Sequence, residues 1–171
     1  MKTKLSLIAF FGLLTTGAPF AAASQTATRV EVNFFEPQNY ADAKNESYDT
    51  DRGRDELLAR LKELIRLTAP RYLAQGQHLV INVTNVDLAG EFEPWQGAGF
   101  DHIRMVREIY PPRMTLEFRL LDAEGNVVSS GKRDLQELGY LMTLSLPTSD
   151  PLRYDKEMIS DWMRREFRPS S

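Results

Sequence analysis

The sequence predicts an α+β fold, in which a small mixed sheet of four to five strands carries two main helices packed on one face. Two observations predict it. Apolar and polar residues alternate in several segments, which is typical of half-buried strands, and two other segments carry apolar residues at helical spacing. The order strand-helix-strand-strand-strand-helix favours a right-handed crossover that makes the first two strands parallel.

The first three elements are clear from periodicity. Residues 29–34 alternate as a strand, residues 52–68 carry leucines and isoleucine at helical spacing, and Pro70 ends or kinks that helix. Residues 79–86 alternate again and form the central strand. We expect one side of this strand to be core and the other to be half polar. The expected core side holds Leu79, Ile81 and Val83, and the other side holds Val80, Asn82, Thr84 and Val86.

A long irregular segment and a hairpin follow. Residues 87–100 form the longest irregular stretch, and long loops in compact domains are often functional. An alternating pattern resumes over residues 102–110 and ends at Pro111. A hairpin is predicted from strands at 114–120 and 127–132 around a loop that contains Gly125.

The C-terminal part of the chain is predicted to return to helix. Residues 134–142 fit either a short helix or an irregular crossover. The final helix is predicted over residues 151–167, because Ser149 or Asp150 can cap it and proline suits its first turn. Its apolar stripe is Met158, Ile159, Trp162, Met163 and Phe167.

The N-terminus has the three parts of a cleavable signal peptide. Residues 1–23 contain Lys2 and Lys4, an apolar run at 5–14 and three alanines before Ser24. The run is shorter than the roughly 20 residues that span a bilayer. We therefore expect cleavage after Ala23 and one exported domain at 24–171, in the periplasm, although an extracellular destination fits the same features.

Composition excludes several classes of protein. The chain has no cysteine, so disulfides and thiolate metal sites are excluded. Its net charge is −3, and without Lys2 and Lys4 the remaining 19 basic and 24 acidic residues give −5, which argues against a general nucleic-acid binder. His78 and His102 are far apart and have no ligand spacing, so we expect neither a metal nor a cofactor.

Two clusters of polar residues could carry function. Glu91 and Glu93 lie two positions apart, as paired carboxylates of a hydrolase would, although acids in a loop are more often simply solvated. A second cluster combines arginines, which bind carboxylates or phosphates, with a flat apolar indole. Internal pairing, in which Asp87 or Asp101 holds an arginine to fix the long loop onto the sheet, is the alternative for this cluster. The second cluster comprises Asp87, Trp95, Asp101, Arg104, Arg107 and Arg113.

Several segments together resemble the bacterial secreted family known as domain of unknown function 3016. The segments are Val32-Asn33-Phe34, Tyr40-Ala41-Asp42, Val86-Asp87-Leu88-Ala89-Gly90, Ile103-Arg104, Tyr110-Pro111-Pro112-Arg113, Leu121-Asp122-Ala123-Glu124-Gly125 and Leu152-Arg153-Tyr154-Asp155-Lys156-Glu157-Met158 with Asp161-Trp162. The family often has an acidic residue where this chain has Asn85, which weakens a paired-carboxylate site. The resemblance implies a small exported protein without an established activity.

These observations predict a non-enzymatic binding or envelope-accessory module. Its partner would be an envelope protein or a small ligand, and we expect neither nucleic-acid binding nor a membrane anchor after the signal is removed. A periplasmic hydrolase that acts on envelope material through the loop carboxylates is the alternative. A third possibility is assembly through an exposed strand edge of the hairpin.

Overall fold

The computed structural model describes residues 29–42, 51–97, 99–100, 103–142 and 150–167. The strands are β1 (Val30–Phe34), β2 (His78–Asp87), β3 (Glu91–Phe92), β4 (Arg104–Met105), β5 (Arg113–Leu121) and β6 (Val127–Gln136). The helices are α1 (Asp51–Thr68) and α2 (Arg153–Glu166), and short 3-10 turns lie at Pro37–Asn39, Ala69–Arg71, Pro94–Gln96 and Tyr140–Met142. The predicted α+β class and element order are confirmed.

The main sheet has the strand order β1-β2-β5-β6. β1 and β2 are parallel, as the helical crossover predicts, and β2, β5 and β6 are antiparallel neighbours. β3 and β4 form a separate two-stranded sheet. Between β2 and β5 the chain therefore makes an excursion over residues 88–112, which we call the insertion.

The core lies between the sheet and the two helices. The register places Val32, Ile81 and Phe118 side by side on three neighbouring strands, and all three are buried. The Phe118 ring meets Trp162 of α2 edge to face, with ring centroids 5.8 Å apart. Arg133 of β6 also forms an ion pair with Glu166 at 2.7 Å, so aromatic packing and a charged contact both fix α2 to the sheet.

The opposite face of the sheet is polar. Directly paired residues share a face, and Asn82, Glu117 and Lys132 form one such row across β2, β5 and β6. Glu117 and Lys132 differ in sign and neither is buried. The predicted division into one core side and one half-polar side is therefore confirmed. No helix in the described part of the chain is long and apolar enough to cross a membrane.

The structure corrects two details of the predicted strands. Val86 is buried on the core side with Val83, rather than beside Thr84, because a β-bulge shifts the register between Val83 and Asn85. The alternation at 102–110 does not make a full strand, since only Arg104–Met105 pairs with β3. β6 in turn continues to Gln136, into the segment that the sequence left open between helix and crossover.

Candidate functional site

Arg104 fixes the insertion to the end of β2. Its Nη2 lies 2.9 and 3.0 Å from the two carboxylate oxygens of Asp42, which is buried. The same guanidinium donates to the backbone carbonyls of Leu88, Ala89 and Gly90, each at 2.9 Å. The N–H of Leu88 donates to Asp42. The Asp42 carboxylate therefore binds the N–H of Leu88, while the Arg104 guanidinium binds its carbonyl.

A second buried acid lies beside this backbone. Asp155 of α2 is 1% exposed, and it is close enough to Ala89, Asp42 and Arg104 for all three to affect its pKa. Burial raises the pKa of Asp155 to about 8, because the charged form loses hydration, and the nearby Asp42 adds to the rise. We call Asp42, Arg104, Asp155 and the backbone of 88–90 the Arg104 cluster.

Gly90 lets the chain turn within this cluster. It has φ +86°, which favours glycine, and a Cβ there would lie 2.9 Å from the carbonyl oxygen of Met105. Its N–H donates to the carbonyl of Tyr110 at 3.0 Å. The two arms of the insertion therefore approach each other more closely at Gly90 than any side chain would allow.

Glu93 organises the outer part of the insertion. It is 1% exposed, and its carboxylate is 2.7 Å from Arg107 Nη2. It also accepts hydrogen bonds from the Tyr110 hydroxyl at 3.0 Å and from Gln96 Nε2 at 2.9 Å. The hydrogen bond to Glu93 raises the pKa of Tyr110. We call these four residues the Glu93 cluster.

The 138–142 segment packs against the insertion. The Tyr140 hydroxyl donates to the carbonyl of Arg107 at 2.6 Å, and the N–H of Glu137 donates to the carbonyl of Pro112 at 3.3 Å. Tyr140 is itself buried, and burial raises the pKa of its hydroxyl. The crossover that follows β6 is thus joined to the side of the Glu93 cluster.

The outer surface of these two segments is apolar. Of twelve large apolar side chains exposed among the described residues, eight lie either in the insertion or in 138–142. Trp95 and Ile109 are each 69% exposed. We call the eight together the apolar surface: Trp95, Phe100, Ile103, Val106, Ile109, Leu138, Leu141 and Met142.

The six residues proposed from sequence take different positions. Trp95 is on the apolar surface, while Arg104 and Arg107 lie in the two clusters, paired with Asp42 and Glu93. Arg107 and Arg113 keep about half of their side-chain surface accessible. Asp101 lies outside the described residues.

Asp87 and Arg113 face each other across β2 and β5. Their closest charged atoms are 3.8 Å apart. Burial is the main reason that the pKa of Asp87 is raised, and Asp42 raises it further, whereas Arg113 lowers it. This loose contact lies at the base of the insertion.

Within the part of the chain that the structure describes, the carboxylates considered for hydrolysis lie in other contacts and away from His78. Glu93 is held by Arg107 and Tyr110, and Glu91 Oε1 accepts from the neighbouring N–H of Phe92. His78 begins β2 while Glu91 follows its end, so roughly 30 Å of strand separates them. His102 lies outside the described residues. In the described ranges, no three His, Asp or Glu side chains could hold a metal ion.

Sequence reasoning missed the buried acids of the site. Asp42 and Asp155 belong to the segments that carry the family resemblance, but no role was assigned to either. Asp42 is 62 positions from Arg104 in the chain, so no local pattern reveals their contact. Glu93 was considered as a possible catalytic acid or a solvated loop acid, whereas it is buried and paired with Arg107.

The fold and the site together define a two-layer α+β protein whose insertion is fixed by buried charges and carries an apolar outer surface. The chain belongs to the family described as "Protein of unknown function (DUF3016)", which matches residues 28–165. The resemblance noted from the sequence is confirmed, and four of its segments, around Asp42, Leu88–Gly90, Arg104 and Asp155, meet at the Arg104 cluster. No curated protein and no solved structure matches the chain.

Proposed function

We propose that this protein is an exported, non-enzymatic binding module that docks a protein partner through the apolar surface. The observation that carries this proposal is the concentration of exposed apolar side chains on the insertion and the adjoining 138–142 segment. Exposed apolar side chains concentrated in one part of a globular protein's surface commonly mark an interaction site. Trp95 supplies the kind of large, rigid side chain that dominates binding energy at interfaces.

The length of the insertion supports a role beyond connection. Asp87 and Arg113 are paired neighbours in the sheet, so a turn of two to five residues would join β2 to β5. The connection between β2 and β5 instead comprises residues 88–112, and buried charged groups fix these residues in place. Burying a charge is unfavourable unless it is paired. A segment held in this way binds a partner without a large further loss of conformational entropy.

The charge of the chain favours a protein over a lipid surface. After removal of residues 1–23 the net charge is −5, which opposes binding to an anionic membrane. The two arginines of the insertion, Arg104 and Arg107, are paired with acids. A mixed apolar and polar protein surface matches this composition better than a layer of phosphate head groups.

Export rests on the signal-peptide pattern of residues 1–23, and we propose the periplasm as the compartment. Mass spectrometry of the protein from the periplasmic fraction should identify Ser24 as its first residue. Protein that retains Met1 and stays in the cytoplasm would contradict export.

Photo-crosslinking in intact cells tests the docking surface. A photoreactive residue at Trp95 or at Ile109 should give a discrete protein adduct. The matched control is Glu117, which is also exposed but lies on the polar face of the sheet. Adducts at the first two positions and none at Glu117 support the proposal. The absence of adducts, or the same adduct at all three positions, contradicts it.

A further inference from the structure

A groove of about 430 Å³ lies between α1 and α2, away from the apolar surface. From α1 and the turn that follows it, Arg60, Leu64, Leu67 and Arg71 line the groove at helical spacing. The opposite wall is formed by Leu152, directly before α2, and by Lys156 and Ser160 of α2. The volume falls within the range of small-molecule sites. The groove therefore has both the continuity and the size of a ligand site.

The floor of this groove is apolar and open. Leu67 is 65% exposed although it belongs to the side of α1 that faces α2, whereas Leu152 is buried beneath the groove. Leu64 is half-buried between them. An apolar ligand group that covered Leu67 and Leu64 would be stabilised by roughly 25 cal/mol for each Å² of apolar surface removed from water.

The rim of the groove carries more positive than negative charge. Arg60, Arg71 and Lys156 line it, and none of them forms an ion pair with any residue in the described ranges. The acids on the rim are Glu63 and Asp150, and Asp150 also accepts the N–H of Leu152 at 2.9 Å. Arg60 and Arg71 are eleven positions apart, about 16 Å along the helix direction.

We propose that the groove binds an amphipathic anion, an acyl chain of medium length that ends in a carboxylate. An apolar neutral molecule would leave the three cations unused, and a small inorganic anion would leave Leu64 and Leu67 exposed to water. A chain with one charged end satisfies both parts of the groove. Arginine pairs well with a carboxylate because its planar fork donates two parallel hydrogen bonds.

Calorimetric titration of the full chain after signal removal tests this site. The probes are decanoate, decanol and acetate, each below its aggregation concentration. Decanoate should bind, and decanol and acetate should each bind at least about tenfold more weakly, since each lacks one of the two recognised parts.

Two variants of equal charge separate the groove from general electrostatics. The test variant is Arg71→Gln with Lys156→Gln, and it should weaken decanoate binding by about tenfold or more. The control is Lys62→Gln with Arg66→Gln, on the side of α1 that faces Val30, and it should bind like the wild type.

Leu67→Ser tests the floor and should weaken decanoate but not acetate. The proposal is overturned if decanoate does not bind, or if both charge variants lose affinity equally. It is also overturned if decanol binds as tightly as decanoate. None of these results depends on adducts formed at Ile109. The groove and the docking surface are therefore tested independently.

Discussion

Substitution of Arg104 by Met should destabilise the fold strongly. Methionine keeps much of the side-chain volume but removes a guanidinium that contacts Asp42 and three backbone carbonyls. The Asp42 side chain is 2% exposed, so water cannot readily replace the lost contact. Breaking a buried ion pair from one side typically costs about 3–5 kcal/mol. Since small domains have stabilities of about 5–15 kcal/mol, most of the margin would be lost.

Urea denaturation of the purified protein measures this loss. The control is Arg119→Met, on the exposed polar face of the sheet, which should change the unfolding free energy by less than about 0.5 kcal/mol. Adding Asp42→Asn to Arg104→Met should recover part of the loss, because the unmatched negative charge is then also removed. The coupling in this double-mutant cycle should be about 1 kcal/mol or more.

Equal destabilisation by Arg104→Met and Arg119→Met would show that the contacts of Arg104 do not hold the fold. Arg104 would then be a surface donor, as the ligand-binding interpretation of the sequence proposes. If Arg104→Met left the unfolding free energy unchanged but abolished crosslinking at Ile109, Arg104 would also be assigned as a surface donor.

Three further predictions follow from neighbouring residues. The pKa of Asp155 is raised from 3.8 to about 8, so between these pH values the folded protein keeps a proton that the unfolded chain has released. The free energy of unfolding should therefore fall as the pH rises from about 4 to about 8. Asp155→Asn should flatten this fall when unfolding is measured across the same pH range. Gly90→Ala should cost about 1–3 kcal/mol in urea denaturation, and more than Gly125→Ala, which has nearly the same φ but no atom near the added Cβ. Trp95→Ser should leave the unfolding free energy within about 0.5 kcal/mol of the wild type, because the indole is mostly in water.

Each of these three has a clear contrary result. A pH profile of Asp155→Asn that parallels the wild type would mean that the carboxyl titrates normally. Equal costs at Gly90 and Gly125 would remove the close approach to Met105 as a cause. A large destabilisation by Trp95→Ser would make the indole a packing residue rather than part of a docking surface.

The sheet and helices could be predicted because each has one buried face. Alternation along β2 and β5 and the stripe on α2 report that burial directly. The side of Val86 was predicted wrongly, because strict alternation continued from Val83 places Val86 beside Thr84, whereas the β-bulge between Val83 and Asn85 moves it to the core side. The length of β6 was also open, since none of its residues is buried and its pattern is correspondingly weak.

The candidate site was only partly predictable for a different reason. Ile103, Val106 and Ile109 are apolar, and a single sequence does not distinguish an apolar residue that faces the core from one that faces a partner. The segment therefore suggested a strand. The arginines were recognised as a group, but their acids come from distant positions, as with Asp42 and Arg104. Internal pairing with Asp87 or Asp101 was among the alternatives, but Arg104 and Arg107 are held by Asp42 and Glu93 instead. Asp87 contacts only Arg113 among these arginines, at 3.8 Å.

The most direct test of the docking surface is a comparison of two affinities. The partner captured by crosslinking at Ile109 is titrated with the wild type and with Ile109→Ser. Ile109 is 69% exposed, so the substitution should leave the unfolding free energy unchanged while the Kd rises by about tenfold or more. Glu117→Ser, on the polar face of the sheet, should keep the wild-type Kd. An unchanged Kd for Ile109→Ser, or an equal rise for Glu117→Ser, would contradict the assignment of the apolar surface as the docking site.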